Sequence, residues 1–300
     1  MFDNVIVGID GREGGRGALA AARLLSGERG RITLAYVYPL EPRAWRGTTP
    51  EYDAEQRKRA QELLEKTRDD TEVEAELRVV GSPSVGRGLH ELAESVGADL
   101  LVVGSSGRRL LGRVFVADDT RAALNGAPCA VSIAPAGYSQ RSSAMREIGV
   151  GYDGSPESEH ALGVARKLAS ERHAALSAFE AVSLPAYAFV GPPVPDDNMI
   201  DELVERARRR VASLKGVDPH AAYGNPAEEL ALYSASLDLL VIGSRGYGPL
   251  GRVVHGSTAL ELSRSARCPL LVLTRAARAV GSDDSSDGRR SAQADAPITA

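Results

Sequence analysis

One order of segments occurs twice in this chain. "VIVGIDG" (Val5–Gly11) is matched by "IGVGYDG" (Ile148–Gly154), and "GADLLVVGSSG" (Gly97–Gly107) by "SLDLLVIGSRG" (Ser236–Gly246). "GAPCAVSIAP" (Gly126–Pro135) is matched by "SARCPLLVLT" (Ser265–Thr274). After each Asp-Gly pair, "ALAAARLLS" and "ALGVARKLAS" also correspond. Order and separations are alike, so the chain is a tandem duplication and one fold has to be built twice. The junction falls near Gly137–Arg146, where "GYSQRSSAMR" is polar and turn-rich. This divides the chain into domains over 1–137 and 146–276. The last stretch, 277–300, lacks apolar periodicity and reads as a disordered tail.

Within each repeat, apolar runs alternate with helical patterns. In repeat 2 the pattern predicts strands at Glu147–Tyr152, Ala175–Val182, Val217–Tyr223, "LDLLVIG" and "PLLVLT". Between them fall helices, one starting at Ser155-Pro156, where a capping residue precedes a proline at the first helical position. Others are expected over Asn198–Leu214, "NPAEELALYSA" and Thr258–Ala266. Continuous Val/Ile/Leu runs mark strands covered on both faces, as a parallel sheet requires. The fold class is therefore α/β, with two open five-stranded parallel sheets of Rossmann-like kind.

Composition narrows the function classes. The 300 residues carry 36 Lys and Arg against 40 Asp and Glu, a net charge of −4, so no general attraction to nucleic acid or to a membrane is implied. No apolar run approaches the ~18 residues of a membrane span. With two cysteines and "MFDNVIVGID" leading straight into a strand, the expectation is a reduced, cytoplasmic protein.

Ligands of open α/β sheets sit outside the carboxyl ends of the strands. Two features of repeat 2 fall on that rim. Asp153 ends the first strand, and "GSRGYGPLGRVVHGST" (Gly243–Thr258) follows the fourth. A glycine-rich loop here lets something approach the backbone closely, often a phosphate, although a plain turn has the same composition. Gly243 and Gly246 remove side chains, so backbone N–H groups can face an anion. Gly256 opens the last helix, whose unpaired N–H groups and positive dipole end favour phosphate, and Ser257 and Thr258 add hydroxyl donors. Asp153 would accept from a ribose hydroxyl or hold a metal ion. Arg245 and Arg252 are within reach of phosphates, a solvated arginine being the plainer reading.

On these residues the chain resembles the universal stress protein family, over both repeats and all but the tail. ATP-binding members carry Gly, two residues, Gly, nine residues, then Gly-Ser/Thr. Repeat 2 matches with Gly243, Gly246, the nine residues Tyr247–His255, and Gly256-Ser257. The resemblance implies ATP, with magnesium or manganese supporting the phosphates, and places Ala181 by the adenine through main-chain contacts. It further implies that the two fifth strands, too apolar for exposed edges, pair antiparallel across a pseudo-two-fold axis. Further dimerisation of the chain and an unidentified protein partner are compatible with it.

Repeat 1 starts the motif with Gly104 and Gly107 but reads Ala117-Asp118 where the family has Gly-Ser/Thr. The register is fixed, because Ala117 to Cys129 spans the same interval as Gly256 to Cys268. A carboxylate at that helix start would oppose a phosphate ~5 Å away by roughly 3 kcal/mol per unit charge. One ATP per chain, in repeat 2, is expected.

Several other features have plain readings. "GRGALA" (Gly15–Ala20) fits a dinucleotide fingerprint formally, but begins inside the first helix. The five histidines lack metal spacing, Cys129 and Cys268 read as equivalent buried thiols, and "ERARRR" as a solvated helix face. Two functions follow: a nucleotide-dependent regulator in stress response, and alternatively a slow ATPase or phosphotransferase using the same pocket. The second needs a group that positions the attacking water or acceptor, and Asp153 is better explained by ribose or metal. A pure interaction module with neither site occupied would leave the complete motif of repeat 2 without a use.

Overall fold

The computed structural model describes residues 2–40, 50–105, 109–110, 113–114, 118–140, 144–183, 197–244 and 257–273. Repeat 1 supplies β1 (Phe2–Gly8), α1 (Glu13–Leu25), β2 (Ser26–Pro39), α2 (Pro50–Thr71), β3 (Ala75–Ser82), α3 (Val85–Val96) and β4 (Leu100–Gly104). A two-stranded ribbon, β5 (Arg109–Leu110) and β6 (Arg113–Val114), precedes α4 (Asp118–Leu124) and β7 (Ala130–Ala134). A 3-10 turn at Tyr138–Gln140 leads into repeat 2. That repeat runs β8 (Glu147–Gly151), α5 (Pro156–Arg172), β9 (Ala175–Val182), α6 (Asp197–Ala212), β10 (Asp218–Tyr223), α7 (Pro226–Tyr233), β11 (Leu239–Gly243), α8 (Ser257–Ser265) and β12 (Leu270–Leu273). The predicted tail, 277–300, lies outside the described residues.

The two sheets are one. Ten strands run in the order β10-β9-β8-β11-β12-β7-β4-β1-β2-β3, which reads the same from either end once the repeats are equated. In this ten-stranded sheet every pairing inside a repeat is parallel; between the repeats β12 and β7 pair antiparallel, with Val272 opposite Val131, Leu271 opposite Ser132 and Leu270 opposite Ile133. Ser132 and Leu271 hold the same place in their repeats, three residues beyond Cys129 and Cys268. The pseudo-two-fold axis therefore passes between them. Pairing removes two apolar edges at once, since all six residues are buried; each large aliphatic side chain so covered contributes about 1.5–3 kcal/mol.

Helices cover both faces. On one, α1, α2, α5 and α6 share a core that runs through both repeats and takes in Tyr138 and Met145 of the connection. On the other, α3, α4, α7 and α8 pack over Ile6, Leu101, Val131, Leu240 and Val272. The outer strands are blunted by sequence: β3 carries Glu76 and Arg78, and β10 carries Asp218 and Pro219, whose missing N–H discourages a further strand.

The same local devices recur in each half. Asp10 accepts the backbone N–H of Arg12 at 2.9 Å, and Asp153 that of Ser155 at 3.0 Å; Gly11 and Gly154 follow them, both at φ +74°. Asp99 accepts the N–H groups of Asp3 and Asn4, as Asp238 accepts those of Arg146 and Glu147, so each fourth strand is tied to the start of each first. Cys129 and Cys268 are buried thiols that form no disulfide, and burial pushes the Cys129 thiol up to about 12, which keeps it unreactive. "GRGALA" lies within α1, as expected.

Candidate nucleotide cleft

In repeat 2 the strand order reverses between β8 and β11, and a crevice opens beyond the carboxyl ends of those strands, as it does at switch points of open parallel sheets. Its volume is about 430 Å³. The β8 end supplies Gly151, Tyr152 and Asp153; β9 supplies Phe179 and Ala181; the β11 end supplies Ile242, Gly243 and Ser244. Three helices begin here, bringing Ser155 and Ser158 from the α5 end, Pro226 and Leu230 from α7, and Ser257, Thr258 and Ala259 from α8.

Of the residues expected from sequence, Asp153, Ala181, Gly243, Ser257 and Thr258 therefore meet in one cleft. Arg245, Gly246 and Gly256, with Arg252, lie outside the described residues. Sequence reasoning missed Ser244, Phe179, Leu230 and Ile242. The alternation of β9 was a usable signal for Phe179, two residues before Ala181 and hence on the same face.

The helix starts differ in how their backbone donors are used. Ser155 caps α5 by accepting from the N–H of Ser158 at 3.2 Å, and Asn225 caps α7 by accepting from the N–H of Ala227 at 2.9 Å. The residue before α8 is Gly256, which carries no side chain to cap with. Nearby, the hydroxyl of Ser244 is buried on the cleft wall and has no hydrogen-bond partner among the described residues. A buried donor left unmade is costly, and both features fit an anionic ligand at this end.

Two expectations need correcting in their reasons. Gly243 is glycine because α5 crosses it closely: a Cβ there would lie 2.4 Å from the carbonyl oxygen of Glu157. Gly104 meets the carbonyl of Gly14 in the same way, at 2.0 Å, so helix packing alone demands both glycines. The face carrying "ERARRR" is not purely solvated either. Arg210 grips the buried Glu180 of β9 with two hydrogen bonds, of 3.0 and 2.7 Å. Burial raises the Glu180 carboxyl and the arginine opposes that rise. Tyr152, on the cleft wall, donates to Glu159; burial first, then that carboxylate, pushes its phenol to about 12.

Among the described residues no group of three His, Cys, Asp or Glu side chains is placed to hold a metal ion. Among them, too, no helix is long and apolar enough to cross a membrane.

The sequence model of the "Universal stress protein family" matches residues 1–135 and again 145–274. The universal stress protein Rv2005c of Mycobacterium tuberculosis is 30% identical over 182 residues, covering 58% of this chain and 61% of that protein, so the match spans about three fifths of the relative's length. Universal stress protein YxiE of Bacillus subtilis is 32% identical over 143 residues, covering 41% of this chain and 95% of its own. Among solved structures, a universal stress protein from Archaeoglobus fulgidus aligns over 91% of this chain and 98% of its own at a TM-score of 0.64 and 18% identity, a likeness of fold. Matched once in each half by the same family model, and alike in fold over 91% of its length, the chain belongs to the universal stress protein family.

Proposed function

We propose that the chain binds ATP in the repeat 2 cleft, at one site per chain, and acts as a nucleotide-dependent regulator in stress response. The observation that carries this is the division of the cleft. Phe179, Leu230 and Ile242 gather around Gly151 as an apolar wall, and Asp153, Ser244 and the α8 residues Ser257 and Thr258 bring polar side chains to the same cleft. A base suits the first and a phosphate chain the second. Gly246 and Gly256 follow β11 in sequence and complete the family's motif, with Arg245 and Arg252 in its spacers available to the phosphates.

The donor set bears on the metal. Asp153 is the sole acid on the described cleft wall, and its Oδ1 already accepts from Ser155. Magnesium or manganese would accordingly arrive with the phosphates, which supply most of its ligands, Asp153 adding at most one. The same engagement of Asp153 favours binding over hydrolysis, since a water-positioning base needs its acceptor facing the γ-phosphate.

Mass spectrometry of small molecules released from the purified, denatured protein is expected to find an adenine nucleotide. Titration calorimetry is expected to give one ATP per chain, lost in Gly246→Val with the fold unchanged by circular dichroism. Undiminished ATP affinity in that variant would sink the assignment.

A further inference from the structure

The apolar wall of the cleft is built from stacked rings. Phe179 lies on the cleft wall, 9% exposed, and its ring is backed by that of Tyr233 at the end of α7, with centroids 4.9 Å apart and planes 32° from parallel. Tyr233 is locked from three sides. Its hydroxyl shares a hydrogen bond with the buried Ser177. The ring of His220 packs 5.6 Å away. Beneath it, β8 has Gly149, where a Cβ would stand 2.7 Å from the Tyr233 ring and 2.3 Å from Leu237.

Repeat 1 shows that the fold does not need these rings. The strand registers equate Gly149 with Ile6, Ser177 with Thr33, and Phe179 with Ala35. Tyr233 answers to Leu92, each standing three residues beyond the leucine that packs on Gly151 or Gly8. Aliphatic side chains thus fill the same space in the same architecture. The aromatic set occurs in the repeat that has the complete glycine motif. Beside it the next residue on that face is Ala181, where repeat 1 has the larger Val37.

We infer that Phe179 is the platform on which the nucleotide base stacks, that it makes the cleft prefer a purine over a pyrimidine base, and that Tyr233 positions it. The inference rests on the nucleotide reading of this cleft. A ring fixed from behind loses little freedom when a base lies on its open side, and the fused rings of a purine cover more of it than a pyrimidine does. Stacking of a base on an aromatic residue is worth on the order of tenfold or more in affinity by substitution.

The test is calorimetric titration of the full chain, freed of bound nucleotide, with ATP, CTP and inorganic tripolyphosphate. Wild type is expected to prefer ATP to CTP, with tripolyphosphate weaker than both. Phe179→Leu, which keeps apolar volume but removes the ring, is expected to weaken ATP roughly tenfold, to bring the ATP-to-CTP ratio near one, and to leave tripolyphosphate unchanged. Tyr233→Leu should shift the ratio in the same direction, whereas Tyr233→Phe, which keeps the ring, should retain it. Wild-type ATP affinity and base preference in a folded Phe179→Leu overturn the inference and leave the nucleotide reading standing. Failure of wild type to bind ATP, CTP or tripolyphosphate overturns both.

Discussion

The two carboxyl rims of this molecule make a controlled comparison, because one architecture carries both. What they share belongs to the fold. Asp10 and Asp153 hold the same Asp-Gly turn, Gly104 and Gly243 admit the same helix crossing, and Asp99 and Asp238 make the same brace. What they do not share needs another reason. Repeat 2 alone has the Ser155 cap, the Phe179–Tyr233 pair and Gly256-Ser257 before and at the start of α8; repeat 1 has the uncapped Arg12, Ala35, Leu92 and Ala117-Asp118. Identity between repeats is thus a poor guide to a binding residue here, and divergence a better one. Asp153 illustrates the point: its presence is explained by the turn before any ligand is invoked.

The largest effect that could break this comparison comes from exchanging the helix starts. Gly256→Ala with Ser257→Asp should weaken ATP binding by on the order of a hundredfold, since a carboxylate would oppose phosphate at the dipole end. The reverse exchange, Ala117→Gly with Asp118→Ser, should raise the stoichiometry by adding a second, weaker site. Two equal, tight sites in the unmodified protein would refute the asymmetry.

Next in size is a pair of substitutions expected to behave alike. Gly104→Ala and Gly243→Ala each put a methyl into a helix backbone, and each should cost about 3 kcal/mol in denaturant unfolding without ligand. A cost confined to Gly243→Ala would mean that the crossing is not what requires glycine.

The Glu180–Arg210 pair has no counterpart at the equated position of β2, which is Tyr36. Arg210 is half exposed, so Arg210→Ala should cost only about 2 kcal/mol at neutral pH. Burial raises the folded-state pKa of Glu180 above its unfolded value, and loss of the arginine removes the opposing influence. The folded state then binds the proton more tightly, so the variant should regain stability as pH falls from neutrality towards the ordinary carboxylate range. Melting curves across that window check the sign; further loss on acidification would contradict it.

The smallest effects compare two buried serines that lack hydrogen-bond partners among the described residues. Ser132 sits on the pseudo-two-fold axis opposite Leu271, and Ser244 on the cleft wall. Replacing either by Ala should stabilise the ligand-free protein by up to about 1 kcal/mol. Ser244→Ala alone should also weaken ATP binding several-fold. Equal ATP affinity in both variants would remove Ser244 from the site.

Much of the molecule was legible in the chain because duplication prints each signal twice. Apolar runs and their caps predicted the strands and helices of repeat 2 to within a few residues, and α5 begins at Pro156 with Ser155 as its cap, as read. The pairing of the fifth strands followed from their apolar edges and the family resemblance. Much of the described cleft wall was less visible. Leu230 and Ile242 read as ordinary core, Phe179 as one more apolar strand residue, and Ser244 as a turn residue. None carries a signature, because a hydrophobic side chain looks the same in sequence whether it faces a helix or a cavity.

The sequence by itself determined that one unit would be built twice, that its sheets would be parallel and covered on both faces, and that only repeat 2 would carry the full glycine motif. These are local and periodic properties, and they survive being read one segment at a time. Tertiary structure alone decided the reason for Gly243, the engagement of Arg210, and the backing of Phe179 by Tyr233. Each depends on a partner at least 30 residues away along the chain, from Arg210 with Glu180 to Gly243 with Glu157. Distances of that kind are set by how helices lie across the sheet, which no single segment specifies.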